Sequence, residues 1–281
     1  MLWSVFRAAK MRFRQIIFAS LLASAAAGAL LVPLLAAQVV EPNGIIDMDG
    51  QRFPPADPRE KAEFTFARFH YDLGAEFGGY FHFPRWAADY PKADRQFIRG
   101  VRRLTRIDGR STETVLDARS DDLYDWPWLY AEDAGAWRMT VAQASRLREY
   151  LLRGGFLMLD DSHGDYEWEN MVAGVRMILP DRPIEDLANG DEIFHVTYDL
   201  DDRIQVPGTR YVWGHRQYTA DSATPKWAAI RDDKGRIMVA ICHNSDVGDA
   251  WEWADSAEYP EHAASVAYRI GVNYIIYAMT H

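Results

Sequence analysis

A single cysteine, Cys242, stands in the 281 residues, so no disulfide can close within the chain. The fold must then rest on an apolar core, and a chain that is 48% hydrophobic and 13% aromatic has the material for one. There is no internal repeat and no low-complexity tract, which excludes solenoid arrays and collagen-like or disordered chains. Basic charge is short as well. Lys and Arg number 31 against 41 Asp and Glu, for a formal net charge of −10. An acidic surface repels phosphate backbones, so nucleic acid is excluded as a partner. Also missing are H-E-x-x-H, the EF-hand loop, and the G-x-S-x-G or G-x-C-x-G turn that lifts a nucleophile above a sheet. Any chemistry must come from residues that the fold assembles.

Charge is absent from one long stretch. No charged residue occurs from Gln15 to Val40, and the apolar run 16–35 follows a segment with Arg7, Lys10, Arg12 and Arg14 and no acid. That is the layout of a secretory signal, with Leu35-Ala36-Ala37 as a cleavage site. Uncleaved, the run is long enough for a bilayer core of about 30 Å, with the basic flank left in the cytoplasm. Residues 1–40 are therefore expected to be a signal peptide or, through 15–40, an N-terminal membrane anchor forming an apolar helix. The remainder is expected to cross the inner membrane into the periplasm or beyond. Without 1–40 the chain keeps 27 basic residues and all 41 acids, a net −14. Residues 41–62 carry Pro42, Pro54, Pro55, Pro58, Gly44 and Gly50 and read as a linker. Residues 63–281 read as one α/β domain.

Within it, 64–69 has the β-rich alternation of a first strand. Asp89 and Pro91 open a helix over 92–106, with Phe97, Val101 and Leu104 on one side. Arg95, Arg99, Arg102 and Arg106 form a stripe opposite, which pairs with the chain's own acids or faces water, or else meets an anionic partner or lipid head groups. Short strands are expected at 113–116 and 126–130. Thr140 and Gln143 make a capping box for a helix that ends at Gly154-Gly155. The all-apolar run 156–159 suits a central parallel strand. A helix over 166–179 stops at Pro180, strands at 228–230 and 237–241 flank the turn Asp232-Asp233-Lys234-Gly235, and 261–280 is a long, mostly apolar final helix. Alternation of helix and strand with a late hairpin predicts an open, mostly parallel sheet covered by helices, with one antiparallel edge.

Ligands of open α/β sheets bind outside the carboxyl ends of the strands. Asp160-Asp161-Ser162-His163 leaves the strand at 156–159, and Cys242-His243-Asn244-Ser245-Asp246 with Asp249 leaves the strand at 237–241. If these exits adjoin, Asp160, Asp161, His163, His243, Asp246 and Asp249 share one pocket, whose oxygen and nitrogen donors suit a divalent ion such as Zn, Mn or Mg. Asp160, His163 and His243 are the expected metal ligands, with Asp161 or Asp249 as a general base. The plainer alternative is that Asp160 caps the next element and the rest is a hydrogen-bonded loop. Trp251 and Trp253 alternate around Glu252 and are candidates for the wall of a carbohydrate site, or for core packing. Cys242 and His243 are consecutive in a strand, so they point to opposite faces and do not form a reacting pair.

Segments 64–71 (FTFARFHY), 86–106 (WAADYPKADRQFIRGVRRLTR), 154–164 (GGFLMLDDSHG), 243–253 (HNSDVGDAWEW) and 268–281 (YRIGVNYIIYAMTH) together resemble the bacterial domain-of-unknown-function family 4159 (DUF4159), over nearly all of 63–281. That family is similar to the class I glutamine amidotransferase-like superfamily. The resemblance implies a flavodoxin-like three-layer α/β sandwich and a membrane-associated or exported bacterial protein. It implies a fold and no reaction. The Cys elbow of true amidotransferases and its later His/Glu partner have no counterpart here, so glutaminase chemistry is not expected.

The leading expectation is a non-amidotransferase module at the cell envelope that binds a small molecule or carbohydrate, or a protein partner. A metal-assisted hydrolase at the strand ends is the second reading. A structural partner-docking domain of a membrane-associated complex is the third.

Overall fold

The computed structural model describes residues 45–47, 50–57, 60–73, 84–201, 203–214 and 216–281. The apolar helix expected in residues 1–40, whether signal or anchor, lies outside them. No helix among the described residues is long and apolar enough to cross a membrane. The chain divides into two compact units. In the smaller, β1 (Ile45–Ile46) and β2 (Arg52–Phe53) form an antiparallel pair. The larger holds Asp47–Gln51 and Ala56–His281 and carries everything that follows.

Its elements run β3 (Ala67–His70), β4 (Asp72–Leu73), α1 (Lys92–Leu104), β5 (Thr114–Asp117), β6 (Trp128–Ala131), β7 (Trp137–Arg138), α2 (Val141–Leu152), β8 (Phe156–Ser162), α3 (Gly164–Ile178), β9 (Glu185–Asp186), α4 (Thr209–Val212), β10 (Lys226–Arg231), β11 (Ile237–His243), α5 (Val247–Glu252) and α6 (Glu261–Thr280). Seven strands form one sheet in the order β5-β3-β6-β8-β11-β10-β9. The first five are parallel, and β10 and β9 close the far edge antiparallel. Taken in chain order, the five parallel strands lie 2-1-3-4-5. Consecutive strand residues point to opposite faces. Trp128, Tyr130, Phe156, Met158, Ala240 and Cys242 accordingly pack with the buried residues of α1, α5 and α6. Leu129, Ala131, Leu157, Leu159, Val239 and Ile241 pack with those of α2 and α3. The molecule is a mixed α/β structure with a mostly parallel sheet between two helix layers.

Local chemistry explains the element ends. Thr140 Oγ1 accepts from Gln143 N while Gln143 Oε1 accepts from Thr140 N, which satisfies amides that α2 cannot. In the β10–β11 turn, Asp232 Oδ1 accepts from Lys234 N and Arg236 N, and Gly235 takes a left-handed φ of 86°. Strand β8 runs three residues beyond the apolar stretch, so Asp160, Asp161 and Ser162 lie inside it, all buried.

The arginine stripe is divided between an internal pairing and an exposed face. Arg95 is buried and holds Glu113 in a two-pronged bond, Nε to Oε2 at 2.8 Å and Nη2 to Oε1 at 3.1 Å. Glu113 sits at the foot of β5, against which this turn of α1 packs. Leu104, in the last turn of α1, is 49% exposed. The exposed arginines are Arg99, Arg102, Arg103 and Arg106.

One buried ion pair positions a loop that matters below. Arg68, on β3 and fully buried, donates through Nε and Nη2 to Asp94 on α1 at 2.5–3.0 Å. Its Nη1 donates to the carbonyls of Trp86 and Ala88 at 3.1 and 3.0 Å. Segment 86–94 is thus pinned to the sheet by a single guanidinium. Asp94→Ala leaves that guanidinium buried without its anion and is expected to weaken the folded state by about 3–5 kcal/mol, read as a lower urea midpoint.

Candidate functional site

Strands β8 and β11 are parallel neighbours, with His243 opposite Ser162. The two polar exits therefore meet on one lip of the sheet. Exit residues of β3 and β6 join them, because those strands lie next in the sheet.

Asp160 is the anchor of this edge. Its Oδ2 accepts from the Tyr130 hydroxyl at 2.8 Å and from Val247 N and Gly248 N at 2.9 Å each. One carboxylate oxygen so ties β8 to β6 and to the first turn of α5. The other, Oδ1, is buried without a hydrogen-bond partner. Burial pushes the Asp160 carboxyl up to about 8, against the pull of the Tyr130 hydroxyl.

Asp161 follows with a left-handed φ of 48°, where the β8–β11 register shifts. Arg210 Nη2 donates to its Oδ1 at 2.9 Å, and His163 Nε2 lies 2.9 Å from the same oxygen. Burial raises its pKa, but the Arg210 guanidinium and the His163 imidazole outweigh it and hold the carboxyl below the usual range. The His163 contact falls short of hydrogen-bond alignment, and neither ring nitrogen has a hydrogen-bond partner. Yet the His163 side chain is only 6% exposed. Its backbone N–H is satisfied by Glu167 Oε2 at 2.7 Å, at the head of α3.

Asp246 caps α5, its Oδ1 accepting from Asp249 N at 2.8 Å. Asp249 Oδ2 accepts from Thr209 N at 2.5 Å and Thr209 Oγ1 at 3.0 Å, which docks the start of α4. Burial, then the neighbouring carboxylates, push Asp246 well above the ordinary range, and burial raises Asp249.

Further groups come from β3 and β6. Glu132 is fully buried at the end of β6; its Oε2 lies against the Tyr130 hydroxyl, whose single proton it shares with Asp160 Oδ2, and its Oε1 has no hydrogen-bond partner. Burial and the charges of Asp160 and Asp161 raise its pKa strongly, with Arg68 opposing. Asp133 pairs with Arg85, which also donates to Glu167 Oε1 at 3.1 Å. Asp89, with a left-handed φ of 60°, enters from the loop that Arg68 pins. Only glycine fits at 248: a Cβ there would lie 2.7 Å from the Tyr130 hydroxyl and 2.8 Å from Asp89 Oδ2.

A cleft of about 390 Å³ opens over these groups, with Arg85, Asp89, Asp133, Asp161, Thr209, Arg210, Arg216, Asp246 and Asp249 on its walls. A larger groove of about 580 Å³ lies at the opposite, amino-terminal edge of the strands, around Gly154 and the 232–236 turn. Its charges are paired with one another, as Arg182 is with Asp233 and Arg236 with Asp232. Among the described residues, three groups bring ligand atoms within 4.8 Å of one another: Asp161–His163–Asp246, Asp89–Glu132–Asp246 and Asp89–Asp249–Glu252.

The sequence-derived set is thus only partly assembled. Asp161, His163 and Asp246 meet, and Asp249 lies beside them. Asp160 and His243 do not join His163 in any such group, whereas Asp161 and Asp246 do. Asp160 is occupied with the amides of α5. His243 turns to the α3 side, where its Nδ1 lies 2.9 Å from Ser162 Oγ and its ring 4.9 Å from Trp168. Trp251 is fully buried and stacked on Phe97 at 4.2 Å, so it belongs to the core and offers no face to a sugar. Trp253 is half-buried, with Lys92 Nζ 3.3 Å from its ring centre. Cys242 is buried on the opposite side of β11 from His243. Sequence reasoning missed Asp89, Glu132, Asp133, Arg85 and Arg210. Glu132 and Asp133 leave an apolar strand just as Asp160 does, so the strand-end rule would have found them.

The chain belongs to the family described as Domain of unknown function (DUF4159), which matches residues 65–279. A comparison with curated proteins finds no match.

Burial, then the nearby His163 and Lys226, push the His243 imidazole down to about 4 from an ordinary 6.5. The unfolded chain takes up that proton first, so this group's contribution is present at neutral pH and is lost as pH falls from 6.5 towards 4. His243→Gln is expected to flatten this part of the stability curve relative to the unaltered protein. Paired urea titrations at pH 7 and pH 5 measure the difference.

Proposed function

We propose that the larger unit is a metal-dependent ligand-binding module, in which Asp161, His163 and Asp246 hold a divalent cation in the cleft at the carboxyl edge of the sheet. The observation that carries this reading is His163. An imidazole 6% exposed, whose Nδ1 has no hydrogen-bond partner and whose Nε2 meets Asp161 Oδ1 at 2.9 Å without hydrogen-bond alignment, faces two carboxylates whose ligand atoms lie within 4.8 Å of it and of each other. Buried polar groups are almost always satisfied, and one left without a partner costs about 1–3 kcal/mol. A cation supplies the missing partner and relieves the repulsion between Asp161 and Asp246. Two carboxylates with one imidazole suit Mn, Fe or Zn better than Ca. The cleft volume of about 390 Å³ suits a small molecule. Arg210 and Arg216 on its wall favour an anionic one over a neutral sugar.

The 2-1-3-4-5 order of the parallel strands supports the flavodoxin-like reading, in which ligands sit outside the strand ends. Cys242, sealed within β11, supports a non-amidotransferase member of that wider group. The basic segment followed by an uncharged run supports export of the domain to the cell envelope. Hydrolysis by the same ion is the second reading. It is favoured by Asp249, a buried carboxylate with a raised pKa on the wall of the cleft, which is placed to serve as a general base towards a metal-bound water.

The test is calorimetric titration of Mn²⁺ and Zn²⁺ into the chelator-treated full-length chain. Binding is expected, with a rise in melting temperature by mass action. His163→Ala and Asp246→Asn are each expected to weaken it at least tenfold. Equal affinity in all three proteins, or no binding, would overturn the proposal.

A further inference from the structure

Asp246 belongs to two ligand groups at once. It lies with Asp161 and His163 in one group and with Asp89 and Glu132 in another, the ligand atoms of each group within 4.8 Å of one another, while its Oδ1 also accepts from Asp249 N at 2.8 Å. A carboxylate has two oxygens and can bridge two cations.

Glu132 independently marks the second position. It is fully buried, its Oε1 has no hydrogen-bond partner, and it lies in the group that Asp246 shares. The nearest cation, Arg68, stands 4.0 Å from its other oxygen and is already spent on Asp94 and two backbone carbonyls. The alternative place for a second ion, Asp89–Asp249–Glu252, is less suited, because Asp249 is engaged by Thr209 and Glu252 has a partner of its own.

We infer that the cleft holds a pair of divalent cations bridged by Asp246, the first on Asp161 and His163, the second on Asp89 and Glu132. This rests on the metal reading above and extends it. The second position offers oxygen only and suits a hard ion, whereas the first includes an imidazole; Mn²⁺ satisfies both donor sets. A bridged pair acts on its ligand differently from a lone ion. Two cations grip two oxygens of one oxyanion and orient a water between them, the arrangement used for displacement at phosphoryl and carboxyl centres.

The experiment is the number of Mn²⁺ ions retained per full-length chain after stripping, reloading and desalting, read together with the electron paramagnetic resonance spectrum. Two ions per chain with an exchange-coupled spectrum are expected. Glu132→Gln is expected to retain one ion with an uncoupled spectrum, and so is Asp89→Asn, which keeps a side chain tolerant of the left-handed backbone. Melting curves confirm that each variant is folded. Asp89 lies in a loop, so that variant reads the second position even where Glu132→Gln fails to fold. One ion per chain, lost in His163→Ala and indifferent to Glu132→Gln and Asp89→Asn, overturns the pair and leaves the single-ion reading standing. No retained ion overturns both.

Discussion

Carboxylates crowded together out of water are the constraint around which the rest of this molecule is arranged. A buried carboxylate resists ionising, and a second one nearby resists it further. Glu132, Asp160 and Asp246 are all raised, by burial first and then by neighbouring carboxylates, Asp161 among them each time. Asp161 alone is lowered, because Arg210 and His163 flank it. The chain meets the remaining charge with guanidiniums drawn from distant segments, Arg68 from β3, Arg85 before α1 and Arg210 from α4, and with the amides of α5 at Asp160. Each of these contacts also fixes a loop in space. Electrostatic necessity and the geometry of the cleft are therefore one requirement, since every guanidinium that neutralises an acid also holds a wall of the site.

The sheet makes this crowding possible. In a parallel sheet every strand leaves at the same edge, so acids at the exits of β6, β8 and β11 converge without any local sequence motif. The helix layers then close the faces, and Gly248 allows α5 to approach Glu132 and Asp89 as near as it does. An insertion or a side chain at that position would separate the exits and dissolve the cleft, although the core beneath would be unchanged.

Elements whose cause is local were legible in the sequence. The capping box at Thr140, the turn at Asp232–Gly235, the all-apolar β8 and the final helix Glu261–Thr280 follow from patterns within a few residues. The adjacency of the two polar exits was only a condition in the sequence, and the parallel pairing of β8 with β11 meets it. The direction of individual side chains was not. Alternation along a regular strand sends Asp160 and Asp161 to opposite faces, but the register shift between Ile241 and His243 and the left-handed residue Asp161 interrupt that alternation. No spacing rule carries that information, which is why His243 was grouped with His163 and is found instead with Ser162 and Trp168. Arg210 and Asp89 were out of reach for a different reason. They arrive on loops whose course is set by Asp249 and Arg68, partners tens of residues away.

The proposed cation site turns on the contrast between neighbours 160 and 161. Asp160 spends one oxygen on three donors and is held by them on the core side of β8, where it acts as a strut between β6 and α5. Asp161, turned into the cleft, has its charge met by one guanidinium and one imidazole that share a single oxygen, Oδ1. That arrangement leaves His163 Nδ1 without a partner, beside an Asp246 whose carboxyl is raised by burial and by Asp161 itself. A proton on Asp246 would quiet the repulsion but would leave the imidazole unsatisfied. In the proposed site a divalent ion would answer both demands with the same atoms, and the strut at Asp160 ties together the strands that carry them.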